Sequence, residues 1–291
     1  MDTLTSYSFL VVAIGTVILS AAAGIVGSIS VIKGQSLIGD AIGHATFPGV
    51  VLAFMLFNVM ETSVLVIGAV LFGIIAFQLI HVITDFSKIT LDSALALVLS
   101  GFFGLGMALK SYVQGNPNFS GTQGIDDFIF GQAAYMLKSD VYLIIAASVI
   151  SLVLFFFYYQ QLRIYTFDPI YARTVGISIR FMNVLVLAVT IMLIAVGLKA
   201  VGAVLIVNIL IAPAVTGTLW SNKFMTVLII AAVSGGMSAF IGTYISTALT
   251  GIATGPAIIL ALSICVIFSM LFAPKGIFAK QRRLRKLGEA A

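Results

Sequence analysis

The chain is a succession of long apolar stretches separated by short polar connections, and this alternation is its dominant signal. Nine stretches reach the roughly 17 to 25 residues needed to cross a bilayer: 9–32, 39–59, 63–83, 89–109, 141–159, 181–198, 201–220, 224–249 and 254–273. The pattern predicts an all-α polytopic membrane protein with eight or nine transmembrane helices. The weakest break is at 197–202, where only Lys199 interrupts the apolar character. The first stretch is too long for a signal-peptide core and lacks a basic leader, so it reads as a retained span.

Composition agrees with the pattern. Of 291 residues, 61% are hydrophobic and 9% charged, against roughly 25% charged in soluble domains. A soluble enzyme, a disordered chain and a disulfide scaffold are all excluded. The net charge of +5 suits either a diffuse nucleic-acid surface or a patch at a membrane face, and its position decides between them. Lys275, Lys280, Arg282, Arg283, Arg285 and Lys286 face a single Glu289 in the last stretch, and the body before it is neutral. The excess therefore forms a basic tail, 275–291, suited to anionic lipid rather than nucleic acid.

Lys and Arg are retained on the cytoplasmic side of membrane proteins. Placing the amino terminus outside puts Lys33, Lys88, Arg163, Arg173, Arg180, Lys223 and the six tail residues inside, twelve of the fifteen basic residues, and leaves Lys110, Lys138 and Lys199 outside. An odd number of spans then puts the carboxyl terminus in the cytoplasm. Trp220, Tyr158 and Tyr159 fall at inner ends, where amphipathic rings favour the interface. Small residues such as Ala21, Ala22, Ala23 and Gly24, and later Gly235 and Gly236, predict close helix packing. Pro213 lies inside the seventh stretch and is expected to kink it.

The candidate chemistry is concentrated in Gly39-Asp40-Ala41-Ile42-Gly43-His44-Ala45, followed by Pro48-Gly49. Asp40 and His44 are four apart and share one helix face. A carboxylate oxygen and an imidazole nitrogen offered to one point suit a divalent transition metal such as manganese, iron or zinc. A charged Asp in an apolar span faces a cavity or the bundle interior rather than lipid. On spacing alone, Asp40 as a helix cap and His44 as a packed interfacial side chain remain open. His81 and Asp85 repeat the spacing at the inner end of the third stretch, where solvated polar residues are ordinary. These are the two histidines of the chain.

Two connections carry further pattern. The outer one, 110–138, contains Gly115-Asn116-Pro117 and then Gly124 to Gln132, which predicts a loop with a short amphipathic surface helix. The inner one holds Asp168-Pro169, a cap with proline in the first turn, and Gly176 as a stop, which predicts a short helix over 168–177 suited to gripping a soluble partner. The chain contains no Gly-x-x-x-x-Gly-Lys-Ser/Thr, Gly-x-Ser-x-Gly or His-Glu-x-x-His, so it has no P-loop and none of these hydrolase signatures. Catalysis is not its leading reading.

These segments resemble the membrane permeases of ABC importers for manganese, zinc or iron. Gly39 to Ala45 with Pro48-Gly49 is similar to that family's Gly-Asp-Ala-x-Ser-His-Ala...Pro-Gly signature, with Gly43 where serine is common. Asp92-Ser93-Ala94, Phe130-Gly131-Gln132, Phe167-Asp168 with Ala172 and Gly176, and the region around Pro213 extend the resemblance over nearly the whole chain. It implies a type II ABC importer permease architecture, with residues 1–274 as one transmembrane permease domain and 275–291 as its cytoplasmic tail. Asp40 and His44 match positions taken to coordinate the transported ion. Asp168, Ala172 and Gly176 match the coupling helix that engages the ATPase. The implied partners are a second permease chain, the same or related, two copies of a cytoplasmic ATPase and an external metal-binding protein. ATP is used only through the ATPase, and the outer segment is most like the manganese or iron branch. A gradient-driven secondary transporter is the competing reading. It would be expected to show several midplane ionisable residues and inverted repeats, and the sequence shows few such residues and no persuasive repeat.

Overall fold

Without water to satisfy backbone polar groups, an apolar chain in lipid closes its hydrogen bonds within helices. The computed structural model describes residues 7–117, 119, 122–131, 136–249 and 252–281, and all its regular structure is helical. In chain order the elements are α1 (Tyr7–Ile32), α2 (Leu37–Phe57), α3 (Thr62–Phe86), α4 (Leu91–Gly115), a 3-10 turn (Thr122–Ile125), α5 (Asp127–Phe130), α6 (Lys138–Phe157), α7 (Tyr159–Phe167), α8 (Pro169–Thr174), α9 (Ile179–Val201), α10 (Ala203–Trp220), α11 (Phe224–Ala248) and α12 (Thr254–Phe272). Among the described residues, eight helices have membrane-spanning length and composition. The apolar segment Leu205–Trp220 of α10 is shorter. Each of the nine apolar stretches thus corresponds to its own helix.

The helices form two groups. In one, α2 packs on α3 and α4. In the other, α1 packs on α10, α11 and α6, and α12 packs on α10 and α11. Both α9 and α10 touch both groups, which explains why their side chains, such as Leu193, Ile194, Ile206 and Ile209, are fully buried. The α2–α3 crossing is close enough to require glycine on both sides. A Cβ on Gly49 would lie 2.1 Å from the Gly68 carbonyl oxygen, and one on Gly68 would lie 2.3 Å from that of Gly49. Small residues let backbones approach in this way where no hydrophobic force acts between helices.

The connection 110–138 departs from expectation. Instead of a surface helix, the 3-10 turn and the single-turn α5 bury Ile125, Phe128 and Ile129 against the bundle. Gly131, at φ +74°, sits so tightly on the α9–α10 break that a Cβ would lie 2.1 Å from the Val201 carbonyl carbon. The segment is therefore packed into the bundle. Gln132 and the basic tail from 282 onward lie outside the described residues.

Candidate metal site in the membrane

Helix α2 starts deep in the bundle. Positions 27 of α1 and 39 of α2 both contact Leu210, which would be 2.0 Å and 3.8 Å from a Cβ at those positions. Leu210 is near the middle of α10, about 15 Å along the axis from Trp220. Asp40 is therefore at mid-bundle depth although it belongs to the first turn of α2. The cap position of that helix is Ser36, so Asp40 is not its cap.

His44 Nε2 lies 3.6 Å from Asp40 Oδ1. Two ligand atoms each about 2.1 Å from one ion, a tetrahedral angle apart, are separated by roughly 3.4 Å, so this spacing fits one shared ion. The imidazole meets Phe103 of α4 edge-on, with ring centroids 5.0 Å apart. Its Nδ1 is buried and makes no hydrogen bond in the structure, so His44 is not a core histidine with both nitrogens satisfied. Position 43, the residue before it, contacts Val207 of α10. At 100° per residue, Asp40 projects between the α4 and α10 directions. The side chains are 16% exposed for His44 and 36% for Asp40, so the pair is reachable from that side. Among the described residues no third His, Cys, Asp or Glu joins them.

The second pair is elsewhere. His81 and Asp85 line a cavity of about 400 Å³ beneath the α1–α2 turn, together with Lys33, Ile38, Tyr165 and Asn183. Ile38 faces this cavity, and a helical residue two positions on points to the opposite side, so Asp40 does not share it. His81 makes an edge contact with Phe77, and both it and Asp85 are exposed.

That cavity also holds a contact the sequence did not reveal. Lys33 Nζ donates to the Tyr165 hydroxyl, which donates in turn to Asn183 Oδ1. Tyr165 is 2% exposed. Burial pushes its phenol up to about 12 and pulls the Lys33 amine below the usual lysine range. The turn before α2 is thereby tied to α7 and α9.

Helix α8 follows α7 directly. The Asp168 carboxylate accepts from the Tyr171 N–H at 2.9 Å, as an N-cap does. Ala172 is fully buried and Ile170 projects outward, 79% exposed. Gly176 takes φ +85°, and the bonds Ile177 N–H to Ala172 O and Gly176 N–H to Arg173 O close the helix. Asp168, Ala172 and Gly176 thus lie in one short segment that is capped at its start and stopped at its end. Pro213 is buried in α10 but faces α1 and α11: a Cβ on Gly24 would be 3.0 Å from it, and one on Gly235 would be 3.2 Å away. It does not face Asp40 and His44.

At the opposite end, Lys199 Nζ donates to Asp140 Oδ2 at 2.7 Å and to Thr62 Oγ1 at 3.0 Å. Thr62 donates to Asp140 Oδ1 at 2.7 Å, and the Leu137 N–H donates to Asp140 Oδ2 at 2.9 Å. This network joins the ends of α3, α6 and α9. The signal for it was Lys199 itself, since a lone ammonium in an apolar stretch needs a partner.

Membrane-length helices around a reachable carboxylate–imidazole pair define a multi-pass membrane protein. Comparison with known proteins sharpens this. The chain matches the ABC 3 transport family over residues 6–273 and belongs to it. It is similar to the manganese transport system membrane protein of Bacillus subtilis, with 39% identity over 94% of this chain, and spans 63% of that protein's length. It is 35% identical to the zinc transport system membrane protein of Treponema pallidum, over 99% of this chain and 96% of that protein. Among solved structures, PsaBC from Streptococcus pneumoniae in complex with Fab aligns with a TM-score of 0.85 at 28% identity, covering 97% of this chain and 98% of the other.

Proposed function

We propose that the chain is the permease subunit of an ATP-driven importer of a divalent transition metal ion, with manganese leading and zinc or iron as alternatives. The observation that carries the reading is the Asp40–His44 pair, held 3.6 Å apart at mid-bundle depth and open on one side. The names of the Bacillus and Treponema relatives support metal transport, and the carboxylate oxygen favours manganese while imidazole accommodates zinc and iron.

Each chain offers two side-chain ligands, so the coordination shell is completed by a second permease chain, the same or related, and by water. The transport cycle is alternating access. An external metal-binding protein delivers the ion, and two ATPase subunits grip α8 through Asp168, Ala172 and Gly176 on the cytoplasmic side. Movement of α8 reaches the site through α7, where Tyr165 holds Lys33 in the turn leading into α2. Pro213 kinks α10 where α1 and α11 pack on it. Two protein ligands per chain let the ion leave, since conduction needs binding that is not too tight.

The test is metal uptake by the reconstituted complex with Asp40→Ala and with His44→Ala. Uptake is expected to vanish while assembly with the ATPase is kept, and unchanged uptake in both variants would sink the assignment. Uptake that runs on an ion gradient without ATP would favour the secondary transporter instead.

A further inference from the structure

We infer that this chain carries a binding site for one anionic phospholipid of the cytoplasmic leaflet, seated in a groove between α6 and α11. The inference is independent of the metal reading. The groove has a volume of about 560 Å³, with Ile25 of α1 as floor, Val153 and Phe156 of α6 on one wall, and Ile229 and Val233 of α11 on the other. That volume is within the roughly 300–1,000 Å³ of small-molecule sites. It contains no residue of α2, α3 or α4, so it is separate from the Asp40–His44 pair.

The position of its mouth identifies the occupant. Tyr159 and Met225 line this groove and also a second cavity at the α7–α8 end, so the two adjoin. Arg163 and Lys223 line this second cavity; both are exposed, and among the described residues neither has an ion-pair partner. Asp168 is the one carboxylate lining it, and its Oδ1 is engaged by the Tyr171 N–H. An apolar slot within the membrane, leading to two unpaired cations at the cytoplasmic boundary, matches an acyl chain joined to a phosphate headgroup. Anionic lipids are enriched in that leaflet, and basic side chains at its surface attract them.

The experiment is native mass spectrometry of the purified full chain in detergent, titrated with phosphatidylglycerol or with phosphatidylcholine of the same acyl chains. One phosphatidylglycerol is expected to be retained at concentrations where phosphatidylcholine is not. Each basic residue contributes about fivefold to such binding, so Arg163→Gln with Lys223→Gln weakens retention on the order of 25-fold. Ala232→Phe, or Val153→Phe from the opposite wall, fills the slot with both cations intact and is expected to abolish retention; each variant must match the parent in elution and helix content. Equal retention of phosphatidylcholine overturns the site, as does retention that neither class of variant changes. Loss with the charge variant alone, together with equal binding of free glycerol 3-phosphate, reduces the site to a surface phosphate contact and overturns the acyl seat. Displacement of the lipid by the ATPase subunit assigns the basic mouth to that protein and also overturns it.

Discussion

Replacing Lys199 by Met tests whether the meeting ends of α3, α6 and α9 depend on one buried charge pair. Asp140 is 3% exposed, and three donors converge on its carboxylate at 2.7 to 2.9 Å. Removing the ammonium leaves a buried anion with only Thr62 and the Leu137 N–H to hold it. Breaking a buried pair in this way costs about 3–5 kcal/mol. Converted at roughly 2 °C per kcal/mol, the low end of the scale for larger domains, the melting temperature falls on the order of 6–10 °C. Asp140→Leu costs less, because Lys199 is partly exposed and its stem lets the ammonium reach the boundary. Lys199→Met combined with Asp140→Leu replaces the whole pair by apolar groups, and such exchanges are often neutral or stabilising. The double variant is therefore expected to melt above Lys199→Met alone. The assay is thermal unfolding of the purified chain in detergent, read by size exclusion after heating. If Lys199→Met melts with the parent, or the double variant loses the sum of the two single losses, the coupled-pair argument is wrong.

Tyr165→Phe removes the hydroxyl between Lys33 and Asn183, so on the proposed reading ATP hydrolysis by the complex with its ATPase is expected to continue while uptake per ATP falls. Because the phenol stays protonated up to about 12, the defect should not vary with pH between about 6 and 9, and a pH-dependent defect would implicate another group. Gly49→Ala places a Cβ 2.1 Å from the Gly68 carbonyl oxygen; the forced separation of α2 from α3 is expected to cost about 1–3 kcal/mol in a thermal melt. Metal content of the purified permease pair is expected to be one ion per two chains, and one tightly held ion per isolated chain would contradict the shared site.

The spans were legible because lipid leaves an apolar chain one local solution, and all nine stretches became helices. The Asp40–His44 pair was legible because a helix fixes the geometry of residues four apart. Its depth was not, since depth depends on which helices α2 crosses, and that is set by contacts such as position 39 on Leu210. Lys199 announced a need for a partner, yet Asp126, Asp127 and Asp140 all lay on the same side. The choice of Asp140 follows from the packing of α6 against α9, which is non-local. The packing of the connection 110–138 into the bundle was missed because Ile125, Phe128 and Ile129 look the same in sequence whether they face lipid or protein. Only the fit of Gly131 to the α9–α10 break distinguishes the two.

A carboxylate at mid-bundle depth is costly unless something compensates it, and among the described residues the polar side chain set against Asp40 is the imidazole of His44. The Asp140 carboxylate accepts three hydrogen bonds, from Thr62, Lys199 and the Leu137 N–H, and Lys199 also donates to Thr62. One polar centre is saturated and ties three helices together, whereas the other retains unfilled capacity and is reachable from one side. Unfilled capacity suits the proposed site, where an ion would gain ligands on arrival and lose them when a second chain withdraws. On the proposed reading, the same residue chemistry serves architecture at one depth and passage at another, and the number of partners already in place distinguishes the two roles.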